Sequence, residues 1–265
     1  MIFLLTADEI LLYLSLKYEG DWDKIYEAIK LKKDFSEQEF LSLKIKNKSN
    51  FITILNENYP SILKDCYKPP FVLFYYGNIE LLKINKKITI VGSRNCSQYG
   101  EVCVMNITKE LVHNGYIIVS GMAKGLDSFA HQVALDNGGK TIAVLGTGID
   151  LCYPKQNLGI YEKIKETGLV ISEYPIDTKV IKDNFPKRNR ILAALGDGLF
   201  VPEFKANSGT GITISLALNL GKPIFCTPHP INNETANNSL IKDGAILVEN
   251  ANDIIFELEG KNESS

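Results

Sequence analysis

Residues 86–250 predict an α/β fold, an extended Rossmann-like, doubly wound and mostly parallel sheet, preceded by a small helical domain. Three observations carry that expectation. Short, almost wholly apolar runs recur between helix-length segments, the pattern of strands buried on both faces of a parallel sheet. Glycine-rich turns follow several of those runs. Capping boxes and helical spacing, without a recognised strand, occupy residues 1–60.

The elements follow in order. Thr6-Ala-Asp-Glu9 is a capping box ahead of the apolar run Ile10–Leu14. A second helix starts at Asp21, where Trp22, Ile25, Tyr26 and Ile29 fall on one face. Ser36-Glu-Gln-Glu39 is a second capping box, before Phe40, Leu41 and Leu43. Pro60, Pro69 and Pro70 then punctuate the chain, and Phe71–Tyr76 reads as a strand ending at the turn Gly77-Asn78. From there strands are expected at Ile88–Val91, Tyr116–Val119, Thr141–Leu145, Leu169–Ser172, Gly198–Val201, Pro223–Cys226 and Ala245–Val248. Helices fill the gaps, among them Pro186–Leu195, with Pro186 suited to a first helical turn. The helix Ile212–Leu220 is apolar nearly all round, which fits either a core helix or an interface.

The chain has 265 residues, and domains of about 150 residues make that one and a half to two of them. The expected division is a helical domain over 1–60, a Rossmann-like domain over 61–260 and a tail over 261–265. Lys and Arg total 29 against 31 Asp and Glu, a formal charge of −2. That excludes binding to nucleic acid through bulk charge, so a nucleic-acid role needs a local basic patch. No apolar run approaches the roughly 18–20 residues that cross a bilayer. The opening Met1–Leu5 lacks a basic flank and is not read as a signal peptide. Five scattered cysteines without a Cys-x-x-Cys pair suit reduced thiols in the cytoplasm. Three widely separated histidines offer no metal-ligand spacing, so neither a metal nor another cofactor is expected.

Ligands of such a sheet bind at the carboxyl ends of the strands, where strand order reverses. The segments expected there are Gly92-Ser93-Arg94, Ser120-Gly121-Met-Ala-Lys124-Gly125, Gly146-Thr-Gly148 and Ser208-Gly209-Thr210-Gly211. Glycine lets backbone approach a ligand, and a following helix N-terminus offers N–H groups to an anion. None of the loops is Gly-x-Gly-x-x-Gly, and no Gly-Lys-Ser/Thr is present, which disfavours a dinucleotide enzyme or a nucleotide triphosphatase. The basic signal is local: Lys179, Lys182, Lys187, Arg188 and Arg190 surround Phe185-Pro186. An aromatic among cations at a helix N-terminus can stack a base while the cations take phosphates. The alternative is a solvated helix start with Phe185 as a core anchor.

The motifs themselves resemble one family. Val91-Gly-Ser-Arg94, Ser120-Gly-Met-Ala-Lys-Gly-Leu-Asp127, Tyr153-Pro-x-x-Asn157, Ser172-Glu-Tyr-Pro175 and Phe185-Pro-x-Arg-Asn-Arg190 are similar to those of the DNA-processing protein A family (DprA, also called Smf). Ser208-Gly-Thr…Ala217 and Asn238-Ser-Leu-Ile-x-Asp-Gly-Ala245 continue the match, in the family's order, over about residues 55–250. The resemblance implies a bacterial cytosolic protein that binds single-stranded DNA taken up in natural transformation. It further implies loading of the recombinase RecA, displacement of single-strand-binding protein, a homodimer, and no known catalysis. The implied DNA contacts are Arg94, Lys155, Lys182 and Phe185, with Arg188, Asn189 and Arg190 as further motif residues. The loop positions Gly92, Ser93, Gly121, Lys124, Gly125, Ser208, Gly209 and Thr210 are expected along the backbone of the strand. Val201-Pro-Glu-Phe204 departs from the more apolar family pattern, and no room is left after Gly260 for the winged-helix domain that many members carry.

An enzyme is the competing expectation, a nucleotide hydrolase of the related phosphoribohydrolase type. Those enzymes resemble one another in a Pro-Gly-Gly-x-Gly-Thr-x-x-Glu segment. Asn207–Ile214 here carries Thr or Ile where that carboxylate belongs. Asp127 and Glu173 are the acids left at the rim, neither paired with a His or a second acid in the sequence pattern.

Overall fold

The computed structural model describes residues 5–231 and 234–260. The tail expected over 261–265 and the first four residues of the opening apolar stretch lie outside them.

Three helices open the chain: α1 (Ala7–Lys17), α2 (Trp22–Lys30) and α3 (Glu37–Lys46). Thr6 caps α1 through a complete capping box with Glu9, and Asp21 and Ser36 cap the next two with their side chains. β1 (Asn50–Thr53) follows, so a strand lies in the segment expected to be wholly helical. Its Asn-Phe-Ile-Thr sequence is too short to show a period, and pairing with β2 (Val72–Gly77) is what makes it a strand. Between them lies the short α4 (Ser61–Lys64), and after β2 a 3₁₀ turn spans Ile79–Leu82.

The alternation then runs β3 (Lys87–Ile90), α5 (Gln98–His113), β4 (Ile117–Ser120), α6 (Leu126–Asp136) and β5 (Thr141–Leu145). It continues through α7 (Leu158–Thr167), β6 (Leu169–Ser172), α8 (Asn184–Leu195), β7 (Gly198–Val201), α9 (Gly209–Asn219) and β8 (Ile224–Cys226). α10 (Asn237–Lys242), β9 (Ile246–Leu247) and α11 (Ala251–Gly260) complete it. The nine strands form one sheet in the order β1-β2-β6-β5-β4-β3-β7-β8-β9. β2 is antiparallel to both its neighbours, and every other pairing is parallel. Strand order reverses at β3, because the chain builds β4, β5 and β6 on one side and then crosses to β7 on the other.

The two faces divide by strand alternation. On β3, Ile88 and Ile90 enter the apolar cluster of α5 and α6, whereas Thr89 faces α8 and donates from Oγ1 to the Leu192 carbonyl at 2.8 Å. Ile191, Leu192 and Leu195 of α8 bury the second face with α9 and α4. The opening helices are not apart from the sheet: Leu12, Tyr13, Ile25 and Phe40 share a cluster with Val72, Phe74 and Val170. α9 is apolar on both sides but only one is covered. Thr213, Ile214 and Ala217 are buried, while Ile212 and Leu218 stay exposed.

Candidate functional site

Beside the switch strand, a cleft of about 330 Å³ opens at the carboxyl ends of β3, β4 and β7. Gly92, Ser93 and Arg94 form one wall, Phe185, Arg188 and Asn189 a second, and Ser208, Gly209 and Thr210 a third. The sheet's topology thus brings nine of the expected residues onto one cavity, where strand reversal leaves room between the loops.

The loops are fixed to one another. Thr210 donates from Oγ1 to the Gly92 carbonyl at 3.2 Å, and the Ser93 amide donates to the Glu203 carbonyl at 2.8 Å. Glu203, buried, also accepts from the Ser97 backbone amide at 3.1 Å and from its hydroxyl at the start of α5. Asn189 donates from Nδ2 to the Gly209 carbonyl at 3.3 Å. Gly125 has φ +84°, and a Cβ there would stand 2.4 Å from the Ser93 carbonyl, so only glycine lets the two loops meet. Asn157 explains the Tyr-Pro-x-x-Asn spacing: buried at the end of a 3₁₀ turn, it donates from Nδ2 to the Met122 carbonyl at 2.8 Å.

Phe185 stands between the two placements that its sequence left open, partly anchored and partly on the cleft. It is half-buried, lies against Gly146, and meets the Tyr153 ring at 5.7 Å between centroids. A Cβ at Gly146 would come within 3.0 Å of the Phe185 ring, so the glycine there makes space for an aromatic. The rest of the ring borders the cleft.

The cations separate into free and enclosed groups. Arg94, Lys124, Lys155, Lys182 and Lys187 are exposed, and none makes an ion pair among the described residues. Arg94 is therefore not the buried partner of Asp127 or Glu173. Lys155 and Lys182 do not line the cleft. They stand on the turns beside Tyr153 and Phe185. Lys124 and Gly125 border a neighbouring open concavity that also includes Arg94.

Arg188 and Arg190 are held inward. Arg188 is 4 % exposed and donates to the Gly121 carbonyl at 2.7 Å and to the Val144 carbonyl. Burial pushes its guanidinium down to about 10, against the favourable charge of Asp127. Asp127 is raised by burial, opposed by Arg188 and by the backbone amides of Gly92, Gly121 and Ala123. Gly121 itself lies beneath these groups, with room for no side chain: a Cβ would meet both Arg188 and Asp127 at 2.7 Å. Arg190 donates to Glu173 Oε1 at 2.6 Å, to the Lys68 carbonyl at 2.8 Å and to the Lys187 carbonyl at 2.8 Å. These three bonds brace α8 against the end of β6, and Arg190 does not line the cleft. Arg188 likewise braces the loops, at the cleft floor.

At the start of α9 no side chain caps the helix, and Ser208 Oγ is buried without a partner among the described residues. The open N–H groups there and the partial positive end of the helix suit an anion. Asn95, Lys205 and Thr213 also line the cleft and were not singled out by sequence, since no motif or spacing marks them. Among the described residues no group of His, Cys, Asp or Glu is arranged to hold a metal ion, and no helix is long and apolar enough to cross a membrane.

The sequence profile of the DNA recombination-mediator protein A family matches residues 50–259. The DNA processing protein DprA of Streptococcus pneumoniae is 44% identical over 209 residues, 78% of this chain and 73% of that one. Protein Smf of Escherichia coli is 36% identical over 207 residues, 77% of this chain and 55% of that one. The solved structure of the Streptococcus pneumoniae protein superposes with a TM-score of 0.82 at 33% identity, covering 96% of this chain and 99% of that one. DNA processing protein A from Helicobacter pylori, which binds single-stranded DNA, superposes at 0.72 with 31% identity, covering 82% and 98%. A profile that runs from β1 into α11, and relatives of this identity over most of the chain, place it in the DNA recombination-mediator protein A family, the DprA and Smf proteins of DNA processing.

Proposed function

We propose that this protein binds single-stranded DNA in the cleft beside β3, protects incoming DNA in natural transformation, and loads the RecA recombinase onto it. One observation carries the binding step: a half-buried aromatic, an exposed arginine with no ion pair and an uncapped helix N-terminus share one cavity. Phe185 stacks a base, Arg94 and Lys182 take phosphates, Lys155 extends the basic rim, and Gly92, Ser93, Gly209 and Thr210 let the backbone approach. The single-stranded DNA bound by the Helicobacter pylori relative supports the same ligand here.

Binding rather than catalysis suits the acids. Glu173 is closed by Arg190, and Asp127 ties loops together. Release of free base from nucleoside monophosphates would favour a phosphoribohydrolase instead. The cytoplasm suits five cysteines that are all free. A homodimer accords with the short edge strand β9, where Leu247 is exposed, and with Phe256 on α11, 80 % exposed.

The binding step is tested with Arg94→Ala, Lys182→Ala and the double variant. Each single change should lower affinity and flatten the salt slope by about one phosphate equivalent. The double change should lose roughly the sum, with the melting temperature held, since both side chains face solvent. A double variant that binds as tightly as the parent would remove this cleft from consideration. RecA loading is tested on strands coated with single-strand-binding protein: RecA should assemble faster with the protein present, and unchanged assembly would refute the loading role.

A further inference from the structure

A second cavity, of about 390 Å³, lies between the opening helices and α8. Pro186 lines both it and the DNA cleft, so the two are neighbours across one residue of α8. Its walls include Tyr67, 70 % exposed, together with Ile181 and Ile212, both exposed. Large apolar side chains left open around a concavity are the usual lining of a ligand pocket.

The charges around it largely cancel. Lys24 pairs with Asp21 at 3.6 Å, Lys68 with Asp23 at 2.6 Å, and Arg190 with Glu173 at 2.6 Å. Glu19 and Lys187 remain without an ion pair and are of opposite sign. Such a lining carries no net charge and suits a neutral occupant in its interior. One polar group waits for that occupant. Asn184 lines the cavity, and its side-chain amide makes no hydrogen bond among the described residues while staying accessible from the cavity. Its donor and acceptor are open to the cavity, and a ligand edge that both donates and accepts would pair with them.

We propose that this cavity receives one unstacked nucleobase of the strand held in the neighbouring cleft. The inference rests on the single-stranded DNA reading above. The base lies against Tyr67, its edge meets the donor and acceptor of Asn184, and Lys187 takes the adjoining phosphate. An unpaired base exposes both its faces and its hydrogen-bonding edge, which a duplex does not offer to this pocket.

The chain's single tryptophan, Trp22, lines the cavity and reports on it. Its Nε1 donates to the Pro69 carbonyl at 2.8 Å, and its ring stacks with Phe71 and Tyr26, so the reporter is fixed. The experiment uses the full chain and an oligothymidylate with one abasic position moved stepwise along it. Affinity is read from the anisotropy of a labelled strand, and occupancy from Trp22 emission. Two positions should be sensitive, each losing about tenfold in affinity, the scale of one base contact. Phe185→Ala should erase the first, and Asn184→Leu the second. Only loss of the second base should restore Trp22 emission that the intact strand quenches.

A strand that binds with one sensitive position and unaltered Trp22 emission overturns the proposal and leaves the cavity to a different occupant, such as a protein side chain. The scan on the parent protein decides this even if Asn184→Leu fails to fold. Absence of any binding by the parent refutes the DNA reading itself, and this inference with it. Binding that survives in the parent but is lost in the Arg94/Lys182 double variant keeps the DNA reading whatever becomes of the cavity.

Discussion

At the scale of single residues, the Phe-Pro-x-Arg-Asn-Arg motif divides between the cleft wall and the scaffold. Phe185 offers part of its ring to the cleft, so Phe185→Ala should weaken single-stranded DNA binding by about 1–3 kcal/mol. Its salt slope should stay unchanged, because no charge is removed. Arg190→Ala should do the reverse and act on the fold. It leaves Glu173 buried and unpaired, which costs roughly 3–5 kcal/mol. Thermal melts beside binding curves check the pair: a DNA-specific defect in Arg190→Ala without loss of stability would contradict the division. The sequence set both side chains on one helix start, since spacing there is local, and of the two only Phe185 borders the cleft. Which cations point inward was not legible. Arg188 finds the carbonyls of Gly121 and Val144, and Arg190 that of Lys68, only after β4, β5 and the segment before β2 have come together.

At the scale of elements, the parallel strands were legible because full burial demands unbroken apolar runs, as in Ile117–Val119 and Leu169–Ile171. β1 was not. Phe51 is exposed and Ile52 buried, an alternation too brief to announce itself within four residues. Buried polar groups inside the α/β layers carry a pH dependence. His131 of α6 is fully buried, and its Nδ1 lies 2.6 Å from Thr141 Oγ1, which itself donates to the Ile118 carbonyl. Burial pushes the imidazole down to about 3. The unfolded chain therefore takes up a proton below about pH 6.5 that the folded chain refuses. Stability from this group is complete above that pH and falls as the pH falls towards the folded value, with about 2 kcal/mol lost by pH 5. Asp127 and Glu173, both raised by burial, work in the opposite sense, so the comparison must isolate the histidine. Melting His131→Gln beside the parent from pH 7 to pH 5 does so. The variant should be less stable at pH 7 and lose less on acidification. Parallel pH profiles would refute the assignment.

At the scale of the whole molecule, the proposed function has a protein of net charge −2 meet a polyanion through one rim. The order β6-β5-β4-β3-β7-β8 sets the loops after β3, β4 and β7 side by side, and the free cations Arg94, Lys124, Lys155 and Lys182 stand on or beside them. In the proposed function Phe185 stacks on an unpaired base, which a duplex does not offer. The most direct measurement is a titration of the protein with single- and double-stranded oligonucleotides of one length at several salt concentrations. The single strand should bind more tightly, with little sequence preference, and log affinity should fall with log salt at a slope of about −0.7 per phosphate neutralised. Equal affinity for the duplex, or single-strand affinity indifferent to salt, would contradict the DNA cleft beside β3.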